Sequence, residues 1–133
     1  MLEILKHYSI AFTIFLIIDL IWLGLVAKNL YKRELGFIMS DKPNWVAAII
    51  FYLIFIAGLV FFVINPAIVS NSWTYALFAG MFLGFLTYAT YDLTNLATLK
   101  NWPLKITIID LIWGTTLGGS VSIITFFIAG LFK

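Results

Sequence analysis

Apolar residues run almost unbroken through four stretches of this chain, and the charged residues gather near their ends and in the connections between them. The stretches cover residues 8–27, 45–64, 73–98 and 104–132. Each is close to or above the roughly 20 residues that a helix needs to cross a bilayer. Pro43 and Pro103 stand where helices begin, Asn65-Pro66 predicts the end of the second stretch, and Asn71-Ser72 offers a cap for the third. No stretch is left over for a soluble domain. The pattern predicts an all-α integral membrane protein, a four-transmembrane-helix bundle over residues 1–133, because backbone polar groups in lipid must be satisfied within helices.

Composition agrees. The 133 residues are 63% hydrophobic and only 11% charged, with a mean hydropathy of +1.08. A soluble domain carries about twice that charged fraction. The first stretch is too long for the apolar core of a signal peptide and no small-residue cleavage site follows it, so it reads as a span that stays. There is no cysteine, which removes disulfides, thiolate metal sites and cysteine nucleophiles. A net charge of +2 gives no reason to expect a nucleic-acid partner.

The placement of the basic residues says more than their number. Lys28, Lys32, Arg33 and Lys42 lie between the first two stretches, Lys100 and Lys105 between the last two, and the middle connection has no charge. The positive-inside rule then puts both basic connections in the cytoplasm and both termini outside, against the weaker votes of Lys6 and Lys133. Trp45, Trp73 and Trp102 sit at span ends, as interfacial anchors do. The segment from Lys28 to Lys42 mixes apolar side chains with cations. It is expected either to lie along anionic headgroups or only to fix topology.

Three aspartates break the apolar pattern. Ile17-Ile18-Asp19-Leu20-Ile21-Trp22 recurs as Ile108-Ile109-Asp110-Leu111-Ile112-Trp113, and Asp92 stands in the third stretch. A charged carboxylate in hydrocarbon costs about 3 kcal/mol even on the lenient insertion scale. A rise of about 1.5 Å per residue sets Asp19, Asp92 and Asp110 roughly 13, 12 and 8 Å in from the basic connections, so all three share one half of the membrane. On the third stretch Tyr88, Asp92 and Asn95 fall within about 60° of arc, extended by Thr87, Tyr91, Thr94 and Thr98, and this side is expected to face protein or water. Gly80-xxx-Gly84 and Gly114-xxx-Gly118 let helices approach closely, either span three on span four or, less simply, as a homodimer surface.

These residues support several kinds of chemistry. Carboxylates gathered in a low dielectric hold protons as a set, which suits proton-linked binding or transport of a small or lipidic ligand. Asp19, Asp92 and Asp110 would bind the proton or cation, Tyr88 and Asn95 would position the ligand, and Trp22 and Trp113 would wall the site. A membrane-embedded acid–base enzyme acting on a lipid or isoprenoid is the rival. Carboxylates could also hold Mg²⁺ against a diphosphate, yet the paired Asp-rich motif of prenyl transfer is absent, so neither a metal nor another cofactor is expected. Purely structural polar contacts are the third reading. They yield only about 0.6 kcal/mol on average, and asparagine would make them more cheaply. His7, at the outer end of span one, is expected to touch headgroups.

The strings Asp19-Leu20-Ile21-Trp22-Leu23-Gly24, Tyr88-Ala89-Thr90-Tyr91-Asp92-Leu93-Thr94-Asn95-Leu96-Ala97-Thr98-Leu99 and Asp110-Leu111-Ile112-Trp113-Gly114-Thr115 resemble one family of small bacterial membrane proteins, domain of unknown function 2177. Phe51-Tyr52, Gly58 and Trp102-Pro103 extend the resemblance over essentially the whole chain. It implies a four-span inner-membrane protein with the same polar positions, and no particular activity.

Overall fold

The computed structural model describes residues 2–132, and Lys133, with its vote on topology, lies outside the described residues. Four helices long and apolar enough to span a membrane make up the fold: α1 (Leu2–Leu35), α2 (Trp45–Ser70), α3 (Trp73–Thr98) and α4 (Leu104–Leu131). Their outer faces carry the large apolar side chains, among them Leu25, Phe61, Phe82 and Leu131, which meet lipid in place of water.

The closest packing joins α3 to α4. A Cβ added to Gly84 would strike the Gly114 carbonyl, and one added to Gly80 would lie 2.6 Å from the Gly118 carbonyl. Only glycine permits backbones this near. Both glycine patterns are therefore used inside the chain. Helix α1 lies antiparallel along α4, so the Lys6 ammonium donates to the Phe132 carbonyl at 2.6 Å. The core between α1, α2 and α4 is Ala11, Phe15, Ile56, Leu59, Leu117 and Val121.

Two helices run past their expected ends. Asn65-Pro66 does not stop α2, which continues to Ser70. A π-helical stretch, Val60–Ile64, precedes the proline and carries the hydrogen-bond ladder up to Asn65. The Phe62 carbonyl, which Pro66 has no N–H to fill, accepts the Tyr75 hydroxyl at 2.9 Å instead. The helix ends at Asn71, whose left-handed φ of 50° a short polar side chain tolerates. Ser72 then caps α3 by accepting the Tyr75 N–H at 3.1 Å.

Helix α1 extends beyond residue 27 to Leu35. No proline or glycine stands between Val26 and Leu35 to break it. At about 1.5 Å per residue its 34 residues exceed the roughly 30 Å of hydrocarbon, so its final turns stand at headgroup level. There Leu35 packs with Trp102 and Ile106, and Glu34 pairs with Lys105 at 3.5 Å.

Two expectations are corrected. Trp102 is not an interfacial anchor like exposed Trp45 and Trp73: it is buried under the α1 extension, and its indole donates to Thr107 at 3.1 Å. His7 does not reach headgroups. It is buried on the face of α1 that turns inward, with Nε2 3.8 Å from Glu3 and Nδ1 without a partner.

Candidate functional site

Asp19, Asp92 and Asp110 are 6%, 0% and 5% exposed, so none faces lipid. They form two groups. Asp92 and Asp110 face each other across the α3–α4 crossing. Asp19 is approached by the Tyr52 hydroxyl from α2 and by the Trp113 indole from α4. Among the described residues no three acidic or histidine side chains come close enough to hold a metal ion. Equal depth does not give equal facing: Asp19 turns to the α2 wall, beside the Asp92–Asp110 pair.

Tyr88 links the groups. It lies within electrostatic reach of Asp19, Asp92, Asp110 and Tyr52. Gly114 makes its place, since a Cβ there would meet the Tyr88 ring at 2.5 to 2.6 Å.

The Asp92–Asp110 pair has unusual chemistry. Both Asp92 oxygens are buried without a hydrogen-bond donor, and the group opposite is another carboxyl. Two carboxylates cannot donate to one another, so a hydrogen bond between them exists only when the pair holds a proton. Asp110 has a second partner, the Tyr31 hydroxyl, which donates to its Oδ1.

Sequence reasoning missed Tyr31 for a geometric reason. In an unbroken α-helix, Tyr31 would stand about 120° around from Asp19. The segment Trp22–Ala27 is π-helical, and its wider turns retard the rotation and bring Tyr31 inward. The signal available was an uninterrupted helical run with a tyrosine among cations. Tyr52 was visible only as part of the family resemblance.

Trp22 and Trp113, the last residues of the two repeated strings, stack with ring centroids 4.3 Å apart and planes 8° from parallel. Each also addresses the other string's group. Trp113 approaches Asp19, and Trp22 approaches Tyr31, the partner of Asp110. The repeat is thus a reciprocal brace between two antiparallel helices. Asn95 approaches the Tyr91 hydroxyl, and Tyr91 meets Trp102 edge-on at 5.8 Å.

The polar arc of α3 needs correction. Thr87 and Thr98 donate to the carbonyls of Leu83 and Thr94, each at 2.8 Å, so their hydroxyls are satisfied by their own helix and require no protein face. Tyr91 is exposed. Beside it, a groove of about 320 Å³ opens between α2 and α3, lined by Phe51, Thr87, Tyr88 and Tyr91.

The model of the family described as "predicted membrane protein (DUF2177)" matches residues 4–127, nearly the whole chain. The chain belongs to this family. No curated protein and no solved structure matches it. As a DUF2177 member it is a membrane protein, and its repeated aspartate strings, Tyr88 and Asp92 all lie inside the matched region.

Proposed function

We propose that this DUF2177 protein binds a small or lipidic ligand in a proton-linked manner, as a carrier or binding protein of the bacterial inner membrane. Its basic connections would face the cytoplasm and both termini the outside. One observation carries this reading: a fully buried Asp92 with no donor on either oxygen, set against Asp110, which a phenol holds. A scaffold has no use for such a pair, because asparagine at either position would supply the missing donor and avoid the cost of a charge in hydrocarbon. A proton that comes and goes is what the pair can accommodate and an amide cannot.

The groove beside Tyr88 favours a lipidic ligand. Its residues belong to the apolar spans α2 and α3, and Phe51 and Tyr91 at its rim are exposed on the outer surface of the bundle. A flat apolar molecule can enter from the side and reach Tyr88, whose field includes all three carboxyls. The same pair also suits an acid–base enzyme acting on a lipid or isoprenoid, with Tyr31 as the helper that holds Asp110. That reading requires altered lipid species on deletion of the gene, and an unchanged lipid mass spectrum excludes it.

The test uses purified protein in proteoliposomes, with a total membrane lipid extract as the ligand source and an internal pH dye. Wild-type protein should couple ligand addition to proton movement, and Asp92→Asn should abolish it. Unchanged proton flux in Asp92→Asn would remove the proposed role.

A further inference from the structure

A second cavity lies at the basic end of the bundle. It is a groove of about 610 Å³ between the end of α1 and the connection that follows it. Leu23, Ala27, Tyr31 and Leu35 form one row along its wall at intervals of four residues, the spacing that keeps side chains on one helix face. Lys28 and Lys32 stand in the adjacent row, one turn apart, and line the same space. Met39 and Asp41, from the connection, also line it. Among the described residues the ion pairs are His7–Glu3 and Lys105–Glu34, so neither groove lysine is in direct contact with a carboxylate.

The order of these residues along the membrane normal is informative. Leu23 and Ala27 belong to the apolar part of α1, and Lys28 and Lys32 follow where the helix emerges from hydrocarbon. The groove is therefore apolar toward the lipid tails and cationic at headgroup level. A soluble anion would have no use for the apolar floor, and a hydrocarbon would have none for two ammonium groups.

We infer that this groove is a binding site for a membrane phospholipid. Its phosphate is held between Lys28 and Lys32, and its chain lies along Leu23 and Ala27. Asp41 supplies an acceptor for a headgroup hydroxyl, such as that of a glycerol. Because Tyr31 lines the groove and also donates to Asp110, an occupied headgroup site touches the wall that holds the carboxyl pair. The site stands on its own residues and does not require the proton-linked reading.

Native mass spectrometry of the purified full chain tests it, with phosphatidylglycerol and phosphatidylcholine of equal chain length as competing probes. Wild-type protein should retain phosphatidylglycerol over phosphatidylcholine by roughly tenfold or more, the scale set by two lysines near an anionic headgroup. Lys28→Gln with Lys32→Gln should remove that preference, and the paired Lys→Arg changes should keep it. Lys100→Gln, at the same end and outside the groove, should leave it intact. Equal retention of both lipids by wild-type protein overturns the site without any variant. Equal loss in Lys100→Gln would make the preference a general charge effect, and displacement by glycerol phosphate at the lipid's own concentration would make the ligand a free phosphate ester. Either result also overturns it.

Discussion

Asp19 and Asp110 occupy the same position of the same six-residue string, yet Asp19 meets a phenol and an indole, whereas Asp110 meets a second carboxyl and a phenol. The string itself sets what the two share: burial, and a tryptophan at i+3 that stacks on its twin. What differs comes from the other helices. Asp19 receives Tyr52 from α2, while α3 brings Asp92 against Asp110. The donors around Asp19 can stabilise a carboxylate as it stands. The Asp92–Asp110 pair lacks donors on one side and is complete only with a proton. On this comparison the proposed proton would be held by the pair, with Asp19 beside it.

The largest expected effect separates the two strings directly. Asp92→Asn or Asp110→Asn should abolish proton uptake on ligand addition. Asp19→Asn should retain the linkage. Proton uptake measured with a dye in proteoliposomes reads both, and equal losses would erase the distinction.

Stability sharpens the comparison next. Gly114→Ala, the residue after Trp113, would drive a Cβ into the Tyr88 ring and should cost about 1–3 kcal/mol as an overpacking change. Gly24→Ala, two residues after Trp22, meets nothing within 4 Å and should be neutral or slightly stabilising. Thermal unfolding midpoints of the two variants in one detergent decide this. Similar shifts for both would mean that Tyr88 is not wedged as described.

The phenols come third. Tyr31→Phe removes a donor from Asp110 and should destabilise by about 1–2 kcal/mol. Tyr52→Phe leaves Asp19 its indole and should cost less, as measured by equilibrium unfolding. The smallest effect concerns what the strings have in common. A double-mutant cycle on Trp22→Phe and Trp113→Phe should give a coupling of about 0.5–1.5 kcal/mol for the stack. Additive single effects would show that the two indoles do not interact.

The four spans were legible because lipid forces long apolar helices, and the α3–α4 contact was legible as the simpler of two uses for glycines four residues apart. Asp92, Asp110, Trp22 and Trp113 could be singled out by type alone, since carboxylates and mid-span tryptophans are expensive or unusual in lipid. Tyr31 was not legible. Its place depends on a π-helical segment that shifts every later residue around the axis, and no breaker in the sequence announces it. Pro66 misled for the same reason, because the π turns before it and the Tyr75 hydroxyl supply what a proline removes. His7 and Trp102 were assigned to headgroups by proximity to helix ends, and burial against neighbouring helices overrode that position.

Infrared difference spectroscopy of the protein in liposomes, with isotope exchange to mark carboxyl groups, tests the shared proton most directly. A protonated carboxyl band should be present near neutral pH in wild-type protein. It should persist in Asp19→Asn and vanish or shift in both Asp92→Asn and Asp110→Asn. A band removed by Asp19→Asn alone, or no protonated carboxyl at all, would contradict the assignment.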